Sequence, residues 1–274
     1  MEKSYKVGVL DHGYVEYIDH MGNDEAVIEA ARMSTGKGFI GWEPRPDAPK
    51  GDAGLLSFLY ANKHMTPFEC GGELMIEVQA PIFIFREWHR HRTQSYNEFS
   101  ARYAMMPNLH YVPSMDRMLQ AQQSTTNKQG SEDGLDEHVA SVERDNFADD
   151  QHDVYASYER AVSKGIAKEV ARINTPVSRF SKMRAKTDLR NWLSFLQLRM
   201  APSAQWEIRQ YAYAVAGIIK DLWPRSYALF EEHDLNGVHL SATEVQALRV
   251  MFSGELRMDT DQSVLNRALK KLGL

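Results

Sequence analysis

Arg86-Glu87-Trp88-His89-Arg90-His91-Arg92-Thr93-Gln94-Ser95-Tyr96-Asn97-Glu98-Phe99-Ser100-Ala101-Arg102-Tyr103 is the stretch on which the reading of this chain turns. It gathers four arginines and two histidines in a protein whose formal net charge is −5. Apolar residues bracket it, Ile82-Phe83-Ile84-Phe85 on one side and Phe99, Tyr103 and Met105 on the other. Pro81 suits a helix start, so a helix is predicted over Ile82–His91, breaking near Thr93. On that helix Arg86 and Arg90 share a face, with His89 one turn from Arg86. Ser95, Asn97, Glu98 and Ser100 then read as a polar loop. A charged helical run is most often a solvated face. Guanidiniums set among apolar groups instead need anions to offset their desolvation. Their planar forks match phosphate oxygens bidentately, so the segment suits two or three phosphate groups.

Upstream, Lys6–Leu10 reads as a strand, Asp11-His12-Gly13 as a turn and Asn23-Asp24 as a helix start. The Gly36–Gly51 region, with Pro44, Pro46 and Pro49, reads as loop. Leu55, Leu56, Phe58 and Leu59 recur at helical spacing up to about His64, and Glu73–Val78 alternates like a half-buried strand. Downstream, residues 115–153 hold few core-forming side chains and read as a polar surface insertion. A helix is expected around Val154–Lys164, then another over Ile166–Arg172, and a strand within Val177–Lys186. Buried helices are expected over Leu189–Arg199 and from about Ala204 to Leu222, the latter ended by Pro224. The tail, 239–274, reads as one or two peripheral helices on a single catalytic domain spanning 1–274.

A length of 274 residues with 43% hydrophobic content allows a sizeable core. The acidic balance argues against a nucleic-acid or anionic-membrane surface, so anion chemistry must be local. The one cysteine, Cys70, rules out an intrachain disulfide and fits a reducing cytoplasm. No run of about 18 apolar residues predicts a membrane span.

The pattern Arg90-His91-Arg92, Ser95, Asn97-Glu98, Ser100, Arg102-Tyr103 resembles the signature of the flavin-dependent thymidylate synthases at every fixed position. Segments in the family order support it: Ala31–Ser34, His64–Glu69, Ala80–Phe83, Glu169–Arg172, Phe195–Arg199 and Ala204–Ile208. The resemblance covers roughly residues 5 to 230. It implies an α/β fold, a central largely antiparallel sheet flanked by helices with a long C-terminal helix. It further implies reductive methylation of dUMP with FAD, with NADPH and methylenetetrahydrofolate as co-substrates, in a homotetramer with shared sites.

By this resemblance FAD meets Ser34, His64, Thr66, Arg90, His91, Arg92, Glu98, Asp188, Arg190 and Ser194. The nucleotide meets Glu87, Arg90, Glu98, Phe99, Ser100, Ala101, Arg102, Arg172 and Arg199. Arg199 is the implied catalytic residue, a cation placed to stabilise negative charge on the uracil ring. Plainer readings exist: His64 and Arg199 as charges favoured at helix C-termini, Arg172 as a surface arginine. Glu87 stands where the family often has glutamine, Asp188 where asparagine is common, and Cys70 where histidine is frequent. Ser194 and Ser203 replace residues more often amide or imidazole.

Three rival readings stay open: a same-fold flavoenzyme that methylates UMP or hydroxymethylates dUMP, a nucleic-acid-binding module, and a metal site on His89 and His91. The last is disfavoured because residues two apart on a helix face different ways. Cys70 is expected to be a small buried residue with no part in the chemistry. Cys70→Ser should therefore retain turnover in a steady-state assay; a folded but inactive variant would overturn a thiol-free mechanism.

Overall fold

The computed structural model describes residues 5–47, 49–252 and 262–274. Two compact units divide the chain, Met1–Ser226 and Tyr227–Leu274. The first is built on a five-stranded antiparallel sheet whose strands lie in the order β1 (Lys6–Val9), β2 (Gly13–Gly22), β3 (Gly72–Pro81), β7 (Phe180–Asp188), β4 (Ser95–Glu98). Its elements begin with β1 (Lys6–Val9), β2 (Gly13–Gly22), α1 (Asp24–Arg32), α2 (Gly51–Ala61), α3 (Thr66–Cys70), β3 (Gly72–Pro81) and α4 (Ile82–Trp88). There follow β4 (Ser95–Glu98), α5 (Met115–Leu119), the two-stranded hairpin of β5 (Gln122–Gln123) and β6 (Ser131–Glu132), α6 (Glu137–Ser163) and α7 (Lys168–Ala171). The chain continues through β7 (Phe180–Asp188), α8 (Leu189–Arg199), α9 (Trp206–Leu222), α10 (Pro224–Phe230), α11 (Ala242–Phe252) and α12 (Gln262–Lys271). The α/β class and the antiparallel sheet agree with expectation.

β3 is the spine of the sheet. Its alternate residues Leu74, Ile76, Val78 and Ala80 are fully buried, as a period of two demands when one face is covered. β7 pairs with it from Glu73↔Asp188 to Pro81↔Phe180 and sends Met183 and Ala185 into the same core. The covering layer is α8 and α9: Trp192, Phe195, Leu196, Ile208, Tyr211, Val215 and Ile219 are fully buried. Trp192 donates its indole N–H to the Leu74 carbonyl at 3.1 Å, so its polar edge is satisfied inside the core.

Several elements differ from the sequence reading. β2 stands where only a turn and the approach to α1 are expected; a register shift between Tyr17 and Asp19 breaks its alternation and hides it. It ends at Gly22, whose φ of +80° and close approach to the Gly71 carbonyl leave no room for a side chain. Asn23 then caps α1, accepting from the Ala26 N–H at 2.9 Å. The helix expected near Val154 starts at Glu137 instead, capped by Asp136. Its first half is acidic and buries only Ala140, while Tyr155 and Tyr158 anchor the second half. Ser95–Glu98 is not loop but an edge strand paired with Lys186–Met183.

The second unit holds α11 and α12, closed over Ala247, Leu248, Val264, Leu265 and Ala268. No described helix is long and apolar enough to cross a membrane.

Asp52, fully buried on α2, organises the loop before it. It pairs with Arg32 and accepts from the Ile40 and Gly41 N–H groups at 2.7 and 3.1 Å. Asp52→Ala would strand a nearly buried guanidinium, and about 3–5 kcal/mol of unfolding free energy should be lost in denaturant titration.

Candidate active site

α4 ends at Trp88, short of the predicted His91, because the chain must turn back to lay β4 against β7. Trp88, fully buried, donates to Gln94 Oε1 at 3.0 Å. The Tyr96 hydroxyl donates to the His91 carbonyl at 2.8 Å, with the Trp88 carbonyl a second, longer acceptor at 3.2 Å. The Trp88 carbonyl also accepts from the His91 N–H at 3.0 Å and the His91 carbonyl from the Gln94 N–H at 3.2 Å, so the helix end and the turn after it are tied together. The turn leaves His89, Arg90 and Arg92 exposed or partly exposed, with His91 half-buried. His89 meets Phe85 and Tyr96, whereas His91 packs edge-on against Phe195 at 4.8 Å. The two histidines thus have different neighbours.

Arg199, in the last turn of α8, meets this turn. Its Nε donates to His91 Nε2 at 3.0 Å, Nη1 to Glu87 Oε2 at 3.2 Å, and Nη2 to the Glu87 carbonyl at 2.9 Å. Those bonds use three of the five guanidinium N–H groups and leave one on each Nη. His91 accepts from Arg199 only as a neutral ring. Burial and the adjacent guanidinium hold its pKa down at about 4. Burial raises the Glu87 pKa, and Arg199 opposes the rise.

A second group lines a cavity of about 340 Å3. Its walls include Glu98, Phe99, Ala101 and Arg172 of the predicted nucleotide set, with Arg86, Glu169, Arg179 and Ser181 added. That volume lies within the range of small-molecule sites. Glu98 accepts from the Ser181 hydroxyl at 2.8 Å, and Arg102 pairs with Glu169 at 3.1 Å on the surface. Ser100 accepts from the Arg102 N–H at 3.3 Å, folding the loop on itself. Glu87, Arg90, Ser100, Arg102 and Arg199 are absent from this cavity's lining. Consecutive helix residues point about 100° apart, so Arg86 faces the cavity while Glu87 faces Arg199.

Glu169, Arg179 and Ser181 were not among the sequence candidates. Glu169 had a signal, lying three residues from Arg172 on one short helical stretch. Nothing in the pattern marked Arg179.

The predicted flavin residues sit on other elements. His64 packs edge-on against Phe58 at 5.9 Å, and Thr66 opens α3 beside it; both are exposed. Ser34 is exposed, its hydroxyl donating to the Ala31 carbonyl at 3.1 Å. Asp188 caps α8, its two oxygens accepting from the Asn191 N–H and side-chain amide at 2.9 and 2.6 Å. Arg190 and Ser194 follow one turn apart on the exposed face of α8, Arg190 pairing with Glu69 at 3.3 Å. α3 packs against α8, which brings the Thr66 and Arg190 elements together. Arg90 and Arg92 have no carboxylate partner among the described residues, and an exposed imidazole stands beside an aromatic ring. Such groups suit a phosphate-bearing planar cofactor. Cys70 is exposed at the end of α3, not buried as expected, because the short helix turns its last residue outward.

Residues 16–225 match the family model described as Thy1, thymidylate synthase complementing protein. The chain belongs to the flavin-dependent thymidylate synthase family. It is 40% identical over 275 residues to a flavin-dependent thymidylate synthase of Thermus thermophilus, covering 100% of this chain and 93% of that one. It is 38% identical to the namesake from Wolbachia pipientis, over 90% of this chain and 84% of the relative. Among solved structures it resembles the UMP/dUMP methylase PolB of Streptomyces cacaoi bound with 5-Br dUMP. That likeness has a TM-score of 0.70 and 30% identity, over 83% of this chain and 98% of that one. As a member of this family the chain is an enzyme, a flavin-dependent methyltransferase.

The depressed His91 pKa has a sign. Between about 4 and the ordinary 6.5 the unfolded chain binds the proton that the folded ring refuses. Stability therefore falls as pH drops through that window. His110, also held at about 4, adds to the slope. Melting temperatures from pH 7 to pH 4 should fall less steeply in His91→Asn than in the parent; equal slopes would contradict the assignment.

Proposed function

We propose that this chain methylates C5 of the uracil ring of dUMP to give dTMP, with FAD, NADPH and methylenetetrahydrofolate. The observation that carries the reading is the Arg199 guanidinium, fixed by Glu87 and His91 with two N–H groups to spare. C5 of uracil is a weak nucleophile, and shifting negative charge onto the ring strengthens it. A preoriented cation facing N3 and O2 stabilises that charge without reorganising as it develops. Arg199 is held for this by a neutral acceptor at Nε and a carboxylate at Nη1, so its plane is set before the substrate arrives.

Around it, Arg90 and Arg92 would hold flavin phosphates, with His64, Thr66, Ser34, Arg190 and Ser194 along the same cofactor and Asp188 fixing the start of α8. Held by these residues, reduced FAD would supply the hydride that completes the methyl group, with tetrahydrofolate as the folate product and NADPH as the source of the electrons. Glu98, Phe99, Ala101 and Arg172 at the cavity, with Ser100 and Arg102 on the adjoining loop, would receive the nucleotide. All these residues lie between 34 and 199, and the chain is read as a single catalytic domain acting in the cytoplasm.

Within one chain the nucleotide residues form two groups, one at Arg199 and one at the cavity. Exposed Val170, Ile173 and Leu198, at 52%, 72% and 59%, lie close in sequence to Arg172 and Arg199. Both features support a homotetramer in which different copies complete each site.

A second reading is favoured by one likeness. The Streptomyces cacaoi methylase is known bound with 5-Br UMP as well as 5-Br dUMP, and Glu87 here places a carboxylate beside the catalytic cation. UMP is accordingly the alternative substrate.

The test is mass spectrometry of products from dUMP and UMP in competition, with a flavin spectrum that bleaches on NADPH. A gain of about 14 Da on dUMP is expected, the mass of one CH2 group; a colourless protein that takes up no flavin would sink the proposal. Arg199→Ala should retain flavin while kcat falls roughly 100-fold or more, the scale of losing a charge-stabilising donor.

A further inference from the structure

Arg179 lies just before β7 and is fully buried. Its Nη2 donates to the Pro107 carbonyl. Its guanidinium carbon stands 5.1 Å from the Tyr155 ring centroid and 5.9 Å from that of Tyr158. Nε and Nη1 are buried with no hydrogen-bond partner, and no carboxylate pairs with it among the described residues. A buried cation without a counter-ion is costly, and two ring faces with one carbonyl offset only part of that.

The same two tyrosines grip the neighbouring peptide. The Tyr155 hydroxyl donates to the Met106 carbonyl at 3.2 Å, and the Met106 N–H donates to the Tyr158 hydroxyl at 3.3 Å. Main-chain bonds continue the attachment, Phe180 N–H to the Leu109 carbonyl at 3.0 Å and Ile82 N–H to the Arg179 carbonyl at 2.9 Å. The far end of the segment 98–107 is therefore pinned at Met106–Pro107. Its near end is pinned by Glu98 to Ser181 and by Phe99 N–H to the Lys182 carbonyl at 2.7 Å. Between these anchors lie Ser100 and Arg102, and both anchors line the 340 Å3 cavity with Arg172.

We infer that Arg179, packed against the adjacent rings of Tyr155 and Tyr158, is a positioning residue that sets the 98–107 segment and so places its groups for the nucleotide. This rests on the reading of that segment as the nucleotide site. Arg179 acts through the loop and through no contact of its own with the reacting atoms.

The test uses the full-length, FAD-loaded enzyme and compares R179M, R179K and Y155F. FAD content, dUMP affinity by calorimetry, and kcat and KM for dUMP are measured. R179M should weaken dUMP binding at least roughly tenfold, with kcat/KM falling chiefly through KM and FAD content as in the parent. R179K should recover part of the loss, and Y155F should show a smaller loss of the same kind. Parent-like dUMP affinity in folded R179M overturns the inference, as does loss of FAD and dUMP together in R179K and Y155F. If R179M fails to fold, Y155F decides: weaker dUMP with FAD retained supports the role, and unchanged dUMP affinity overturns it. A parent enzyme that holds FAD yet takes no dUMP would sink the nucleotide reading first, and this inference with it.

Discussion

A guanidinium held between a carboxylate and a neutral imidazole is the interaction on which the rest of this structure turns. Arg199 sits at the end of α8, Glu87 near the end of α4, and His91 three residues beyond that helix. The three meet only because Trp88 packs against Phe195 at 4.5 Å, drawing the two helix ends together. The imidazole can accept only while unprotonated, and burial with the cation beside it keeps it so. Packing, charge and protonation state are thus one arrangement.

α4 is also a divider. Its successive residues Arg86 and Glu87 point to different surroundings, one toward the cavity that holds Arg172 and the other toward Arg199. Two groups of charged residues on the flanks of one helix keep their cations from repelling at close range. Overall acidity is compatible with this, since the cations are gathered locally in a chain of net charge −5.

Much of this was legible from residues alone. The Arg90–Tyr103 signature named the family, and the apolar spacing of Leu189–Arg199 and Ala204–Leu222 marked two buried helices that the structure contains nearly to the residue. Where the reading failed, a local rule had been overridden. A bulge in β2 broke the alternation that marks a strand. β4 is four residues long, too short for any period to show. The first half of α6 is acidic and mostly exposed, so composition resembled a loop, while Tyr155 and Tyr158 farther along supply the anchoring that polar turns lack. Arg179 escaped notice because its environment comes from α6 and residues 106–111, both distant from it in the chain.

The sequence by itself determined the family, the fold class and the identity of the charged side chains, because those are carried by residue type and spacing. Tertiary structure decided which of them meet. Contacts such as Arg199 with His91, or Arg179 with Pro107, join residues 108 and 72 positions apart. No local periodicity encodes such pairs, since they follow from how β3, β7 and the helices pack, and burial there sets both the proton affinity and the partners of each charge.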